Sequence, residues 1–140
     1  MYFLKLHQSG EDYIKTIFLL HKQSHEVRNV DIAKAMGYAK PSVSHMIKNL
    51  KRLHYVTAIG NNICLTADGQ KYANKIYERY CTIRDSLIYL GVSSQTAEND
   101  ACCIEHIISD VSFKALKNQL AKRGEMINGD FADSTINKKL

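Results

Sequence analysis

NVDIAKAMGYAKPSVSHMIKNLKRLH, residues 29–54, decides the fold. Asn29 can cap a helix VDIAKAM that stops at Gly37, and Lys40-Pro41-Ser42 can open a second helix, because proline is tolerated in a first helical turn where its missing N–H is not needed. Ile32, Ala33, Met36, Val43, Ile47 and Leu50 fall on the inward faces of the two helices, and the small Ala33 lets them approach closely. A short helix, a glycine turn and a longer helix form a helix-turn-helix.

Upstream, Glu11 to about Gln23 reads as an amphipathic helix with Ser9 as a cap, an apolar stripe of Ile14, Ile17, Phe18 and Leu20, and Asp12 in its first turn. Downstream, YVTAI and ICLT are short β-branched runs around Gly60, Asn61 and Asn62, which predicts a hairpin and turns the motif into a winged helix-turn-helix. Thr66 can cap a long helix from Ala67 to Tyr89, interrupted only by Gly69 in its first turn. A further helix is expected from Ser93 or Ser94 through Ile108, and a shorter one from Ser112 to about Ala121. The polar tail GEMINGDFADSTINKKL is expected to fray or to dock irregularly.

A chain of 140 residues suffices for a small DNA-reading module and a helical module, not for two full-sized domains. Its 45% hydrophobic and 24% charged residues are those of an ordinary globular protein. No apolar run reaches the roughly 20 residues of a membrane span, and MYFLKLHQSGED has neither a basic leader nor a cleavage site, so a cytoplasmic protein with no membrane partner is expected. A metal-dependent hydrolase is a further reading, against which the chain lacks HExxH, GxSxG, a phosphate-binding glycine loop and enough residues for a substrate cleft, and no enzyme is expected. The four cysteines, Cys64, Cys81, Cys102 and Cys103, include no CxxC pair, and reduced thiols are expected, with Cys103 in the core or at a dimer interface.

The net charge of +5 favours a polyanionic partner, and Lys34, Lys40, Lys48, Lys51 and Arg52 form its basic pole. The second helix of a helix-turn-helix enters the major groove and presents its N-terminal residues to bases and phosphates, which here are Lys40, Pro41, Ser42, Ser44, His45 and Lys48. Asn61 and Asn62 of the uncharged wing tip could approach the backbone of the duplex. The competing reading is a plain solvated polar face. In the other half, Cys102, Glu105 and His106 at i, i+3 and i+4 share one helix face and could hold a first-row divalent metal. A buried histidine bonded to a glutamate beside a core cysteine accounts for the same spacing.

Taken in order, EDYIKTIFLL, DIAKAMGYAKPSVSHMIKNLKRLHYV, LTADGQKYA and DACCIEHIISD resemble the diphtheria toxin repressor and manganese transport regulator family over about residues 10–120. The resemblance implies a mainly α protein: a winged helix-turn-helix DNA-binding domain over residues 1–70 and a helical metal-binding and dimerisation domain over 71–140. It implies a metal-dependent repressor of metal homeostasis that binds double-stranded DNA at a palindromic operator as a homodimer. The apolar run Leu87-Ile88-Tyr89-Leu90 with Val92 and the helices after it is the expected dimer interface, an intramolecular core being the alternative. The resemblance also implies metal ligands at Asp12, Cys102, Glu105 and His106, with Glu98, Tyr80 or water completing the shell. Fe(II) or Mn(II) is the expected ion, with Zn(II) or Co(II) compatible with the same donors. Lys15, Tyr80, Arg84 and Glu98 depart from the family pattern, and the rival expectation is a winged-helix regulator whose metal site has decayed and which answers to thiol oxidation or to nothing.

Overall fold

The computed structural model describes residues 8–122, which form six helices and a two-stranded hairpin. The chain divides into two compact units, 1–74 and 75–140. Helix α4, Ala67–Tyr89, runs without interruption through the boundary.

The first unit is built on α1 (Gln8–Gln23), α2 (Asn29–Met36) and α3 (Lys40–Arg52). Helix α1 begins earlier than Glu11 and buries Ile14, Ile17 and Phe18 at helical spacing. Across from it, α2 buries Ile32 and Ala33, and α3 buries Val43, Ile47 and Leu50. Sealing an isoleucine or leucine of this kind contributes about 1.5–3 kcal/mol. Met36 is only half-buried, at the open end of the α2 stripe. The cap of α2 is Arg28 rather than Asn29: the Arg28 N–H donates to Asp31 Oδ2 at 2.8 Å, so the acid three residues on satisfies the helix start from the inside. Gly37 ends α2 in the left-handed region at φ 69°, the conformation that its missing Cβ permits.

Strands β1 (Val56–Ile59) and β2 (Asn62–Leu65) pair antiparallel, Val56 opposite Leu65 and Ile59 opposite Asn62. The loop is therefore the two residues Gly60 and Asn61, and Asn62 belongs to the strand. Beyond the hairpin, Ile63 N donates to Val27 O at 2.7 Å, and the His21 ring nitrogen Nε2 lies 2.6 Å from Ile63 O, so part of the outer edge of β2 is satisfied by α1 and the loop after it. Thr66 closes the module: its hydroxyl donates to His54 O at 2.6 Å and accepts from the Gly69 N–H at 3.0 Å, capping α4.

In the second unit, α4 is followed by α5 (Ser94–Ile104), capped by Ser93, and α6 (Asp110–Lys122). Helix α5 stops at Ile104, not Ile108; the chain tightens there, His106 N bonding back to Cys103 O at 3.4 Å. Ser109 takes the Ser112 N–H at 3.1 Å, which starts α6 two residues before Ser112. Tyr80, Ile83 and Ala101 form the buried centre of this unit, with Tyr77, Cys81, Leu87, Cys102, Ile104, Ile108 and Leu116 packed on it. Arg79 reaches from α4 to Ile108 O at 2.8 Å and to Asp110, and Lys117 pairs with Glu78, so α6 is tied back to α4 by polar contacts. Tyr89, Leu90, Ile107 and Val111 remain exposed, whereas Leu87, Ile88 and Val92 are half-buried. The tail 124–140, expected to fray or dock, lies outside the described residues.

Candidate functional site

Helix α3 sorts its residues cleanly by face. Val43, Ile47 and Leu50 are buried, which turns Lys40, Pro41, Ser42, Ser44, His45 and Lys48 to solvent, along with Lys51 and Arg52. Among the described residues no side chain caps the helix start; Pro41 carries no N–H there, and the Val43 N–H donates to Ala39 O at 3.2 Å. Two contacts that the sequence pattern does not announce organise this face. The Asn49 amide donates to His45 Nε2 at 3.4 Å, and its oxygen accepts from Arg52 at 3.1 Å. The i, i+4, i+7 spacing that makes this ladder possible was readable; what each polar group would choose as a partner was not.

The wing contributes differently from the sequence expectation. Asn61 is exposed at the loop, and Ile59 beside it is 73% exposed. Asn62 is not a free wing-tip residue: its side-chain oxygen accepts the Val27 N–H at 2.8 Å and its amide donates to His25 O at 3.4 Å. The side chain is half-buried and anchors the hairpin to the chain after α1. That bond is between residues 35 apart, and nothing local in GNN announces it.

At the end of α5, Glu105 and His106 are buried to 2% and 7% exposure, with His106 Nε2 3.2 Å from Glu105 Oε1. A buried carboxylate is costly unless a proton or a cation balances it. Carboxylate and imidazole together are a donor pair of the kind that holds first-row divalent ions. Cys102 is half-buried one turn earlier, packed on the Tyr80, Ile83 and Ala101 cluster. Cys103 is exposed, so it is not part of the core. Asp12 is half-buried and, because α1 starts at Gln8, stands in the second turn of that helix rather than the first, in the other unit; Lys15, three residues on, is half-buried too.

Around Tyr80 the chemistry is distinct. Burial, and then the neighbouring Cys102, push the Tyr80 hydroxyl well above the usual tyrosine range, and Glu98 acts in the same direction. Arg84 is 2% exposed, donates from Nε to Asp85 Oδ1 at 2.9 Å and lies 5.4 Å from the Tyr80 ring centroid. The first-unit tyrosine Tyr72 donates to the buried Glu11 at 2.8 Å, which satisfies that carboxylate internally.

Comparison with known proteins bears on both halves. Residues 5–60 match the model of the iron dependent repressor N-terminal DNA binding domain, and residues 66–129 match the iron dependent repressor metal binding and dimerisation domain. The transcriptional regulator MntR of Escherichia coli is 33% identical over 115 residues, 81% of this chain and 74% of that protein. A helix-turn-helix-type transcriptional regulator of Methanocaldococcus jannaschii is 36% identical over 115 residues, 79% of this chain and 90% of that one. Among solved structures, the manganese regulator SloR superposes with a TM-score of 0.71 at 30% identity, and the metal-dependent transcriptional regulator MtsR with 0.76 at 27%. The match covers 80% of this chain and 53% of each of those two, so this chain spans about half their length. With a DNA-binding module, a metal-binding and dimerisation module and these relatives in the same order, the chain belongs to the iron dependent repressor family of metal-dependent transcriptional regulators, and not to a family of enzymes.

Proposed function

We propose that this protein is a homodimeric repressor that couples the level of a divalent transition metal to the occupancy of a palindromic operator. The observation that carries the sensing half is the buried Glu105–His106 pair at the end of α5. Asp12 offers a further carboxylate oxygen, and Cys102 a thiolate or its backbone oxygen, as the remaining ligands. When bound, the ion supplies two positive charges against the Asp12 and Glu105 carboxylates. Oxygen and nitrogen donors suit Mn(II), and a sulfur from Cys102 favours Fe(II); Zn(II) and Co(II) fit the same donor types.

Asp12 stands on α1 of the DNA-reading unit and Glu105 and His106 in the other unit, so shared ligation restricts the freedom between the units. Less ordering then remains to be done on DNA, and affinity rises by that amount. In a dimer the two α3 helices are held for successive major grooves, about 34 Å apart. Lys40, Ser42 and Lys48 are assigned to phosphates, and Ser44 and His45 to base edges.

The test is a DNA-binding titration of the metal-free protein and of the protein with Mn(II), Fe(II), Co(II) or Zn(II), on a palindromic promoter fragment. Metal should tighten binding at least tenfold, and Glu105→Ala should abolish the response while leaving metal-free binding intact. Equal binding with and without every metal would remove the switch and leave a winged-helix protein that reads DNA constitutively or through its thiols.

A further inference from the structure

Three polar side chains on the outer face of α3 are joined in a ladder whose direction is fixed by their chemistry. Arg52 Nη2 donates to Asn49 Oδ1 at 3.1 Å, and Asn49 Nδ2 lies 3.4 Å from His45 Nε2. A guanidinium has donors only, so the Asn49 amide must turn its oxygen to Arg52 and its NH2 group to His45. An NH2 group donates and does not accept, so the imidazole nitrogen facing it has to be the bare one. The ring proton then sits on Nδ1, the opposite of the tautomer that free histidine favours in water. His45 is exposed and Asn49 half-buried, at i and i+4 on one face, with Arg52 three residues further on. Water competes with such a ladder, and a docked duplex that displaces the water strengthens it.

We infer that Asn49 and Arg52 are positioning residues that hold His45 as an Nδ1–H donor, so that His45 selects guanine. This rests on the assignment of His45 to a base edge and names the base read there. In the major groove guanine presents two acceptors, N7 and O6, adenine and thymine present one each, and cytosine presents only its N4 amino donor. A ring N–H that meets the cytosine amino group is left unpaired where water is excluded, which is costly. The Ser44 hydroxyl both donates and accepts, so it does not discriminate in this way. Reversing the ladder reverses the reading. In Asn49→Asp the carboxylate only accepts, Nε2 takes the proton, and Nδ1 becomes an acceptor suited to the amino groups of cytosine or adenine.

The experiment uses the full-length protein loaded with Zn(II). Wild type, His45→Ala, Asn49→Asp and Arg52→Met each select duplexes from a randomised library. The His45 tautomer is read in the DNA complex by long-range proton–nitrogen NMR correlation at about pH 8, where an ordinary imidazole is neutral. In the wild type the proton is expected on Nδ1, with a guanine in each half-site preferred about tenfold over cytosine, a preference that His45→Ala removes. Asn49→Asp should move the proton to Nε2 and change that same position to cytosine or adenine. Arg52→Met, which frees the amide to flip, should give both tautomers and a weakened preference. A wild-type proton on Nε2 overturns the inference, as does an Asn49→Asp variant that keeps the guanine. If His45→Ala relaxes no position, the assignment of His45 to a base falls and the inference with it. The His45→Ala arm thus reads the assignment and the Asn49→Asp arm reads the ladder, so the two failures are distinct. If Asn49→Asp does not fold, Arg52→Met decides: a weakened preference supports the ladder and an unaltered one refutes it.

Discussion

Glu105 and His106 show how spacing and burial divide the work of defining a site. Their adjacency to Cys102 at helical intervals was legible, because i, i+3 and i+4 share a face on any helix. That α5 ends at Ile104, leaving Glu105 as a cap and His106 in the tight turn beyond, was not, because Glu105 and His106 carry no glycine or proline to mark the stop. Gly69 is a sharper case. A Cβ there would lie 2.0 Å from the Tyr55 carbonyl oxygen, a backbone atom that cannot rotate away. Gly69→Ala should therefore lower unfolding stability by about 1–3 kcal/mol despite alanine's better helix propensity, as urea denaturation would report. The opposite sign is expected at His54, which is exposed and held at φ 64°. His54→Gly relieves a left-handed conformation and should stabilise by about 0.5–1 kcal/mol, read as a higher denaturation midpoint with unchanged slope.

At the scale of elements, the hairpin and α3 are both set by short sequence signals but finished by distant ones. The β-branched runs and Gly60 predict the wing; the pairing of Ile59 with Asn62 and the anchoring of Asn62 to Val27 and His25 fix its tilt on the module. Asn62→Ala leaves the Val27 N–H without that partner and should cost about 1–2 kcal/mol, with faster amide exchange confined to Val27 and the hairpin. If exchange there is unaltered, the anchor is not what holds the wing. On α3, the buried face of Val43, Ile47 and Leu50 obliges Lys48 to point outward. Lys48→Ala should weaken DNA binding about equally on different sequences and reduce the salt slope by about 1, whereas a change of sequence preference would place Lys48 on a base instead.

For the molecule as a whole, buried phenols set an alkaline limit. Burial first, and then the Cys81 and Cys102 thiols respectively, raise the hydroxyls of Tyr77 and Tyr80 far above the ordinary value of 10.0, and burial raises Tyr13 and Tyr55 as well. Raised acids keep their protons in the folded state while the unfolded chain loses them, so the folded state binds more protons above about pH 10. Stability is thus fully present below about pH 10 and declines as pH climbs through and beyond it. Tyrosinate absorbance should show these four of the eight tyrosines ionising late, together with unfolding. Tyr80→Phe should flatten the alkaline decline relative to its own stability at neutral pH. Metal acts in the opposite sense at neutral pH: at about one hundred times its Kd, a single bound ion should stabilise by about 2.7 kcal/mol, an increment that Glu105→Ala removes.

The sequence by itself determined the order and kind of the elements, since helical period, strand alternation and the punctuation of Gly37, Pro41, Gly60 and Thr66 are local physics. It also determined which face of α3 points outward, because the apolar residues that must be buried leave the others no choice. The tertiary structure decided the partners: Glu11 with Tyr72, His21 with Ile63, Asn62 with Val27, and Arg84 over Tyr80 rather than on a surface. Such pairs depend on how elements pack, most of them from far apart in the chain, and a polar group's hydrogen-bond choice is fixed only once packing has removed its access to water.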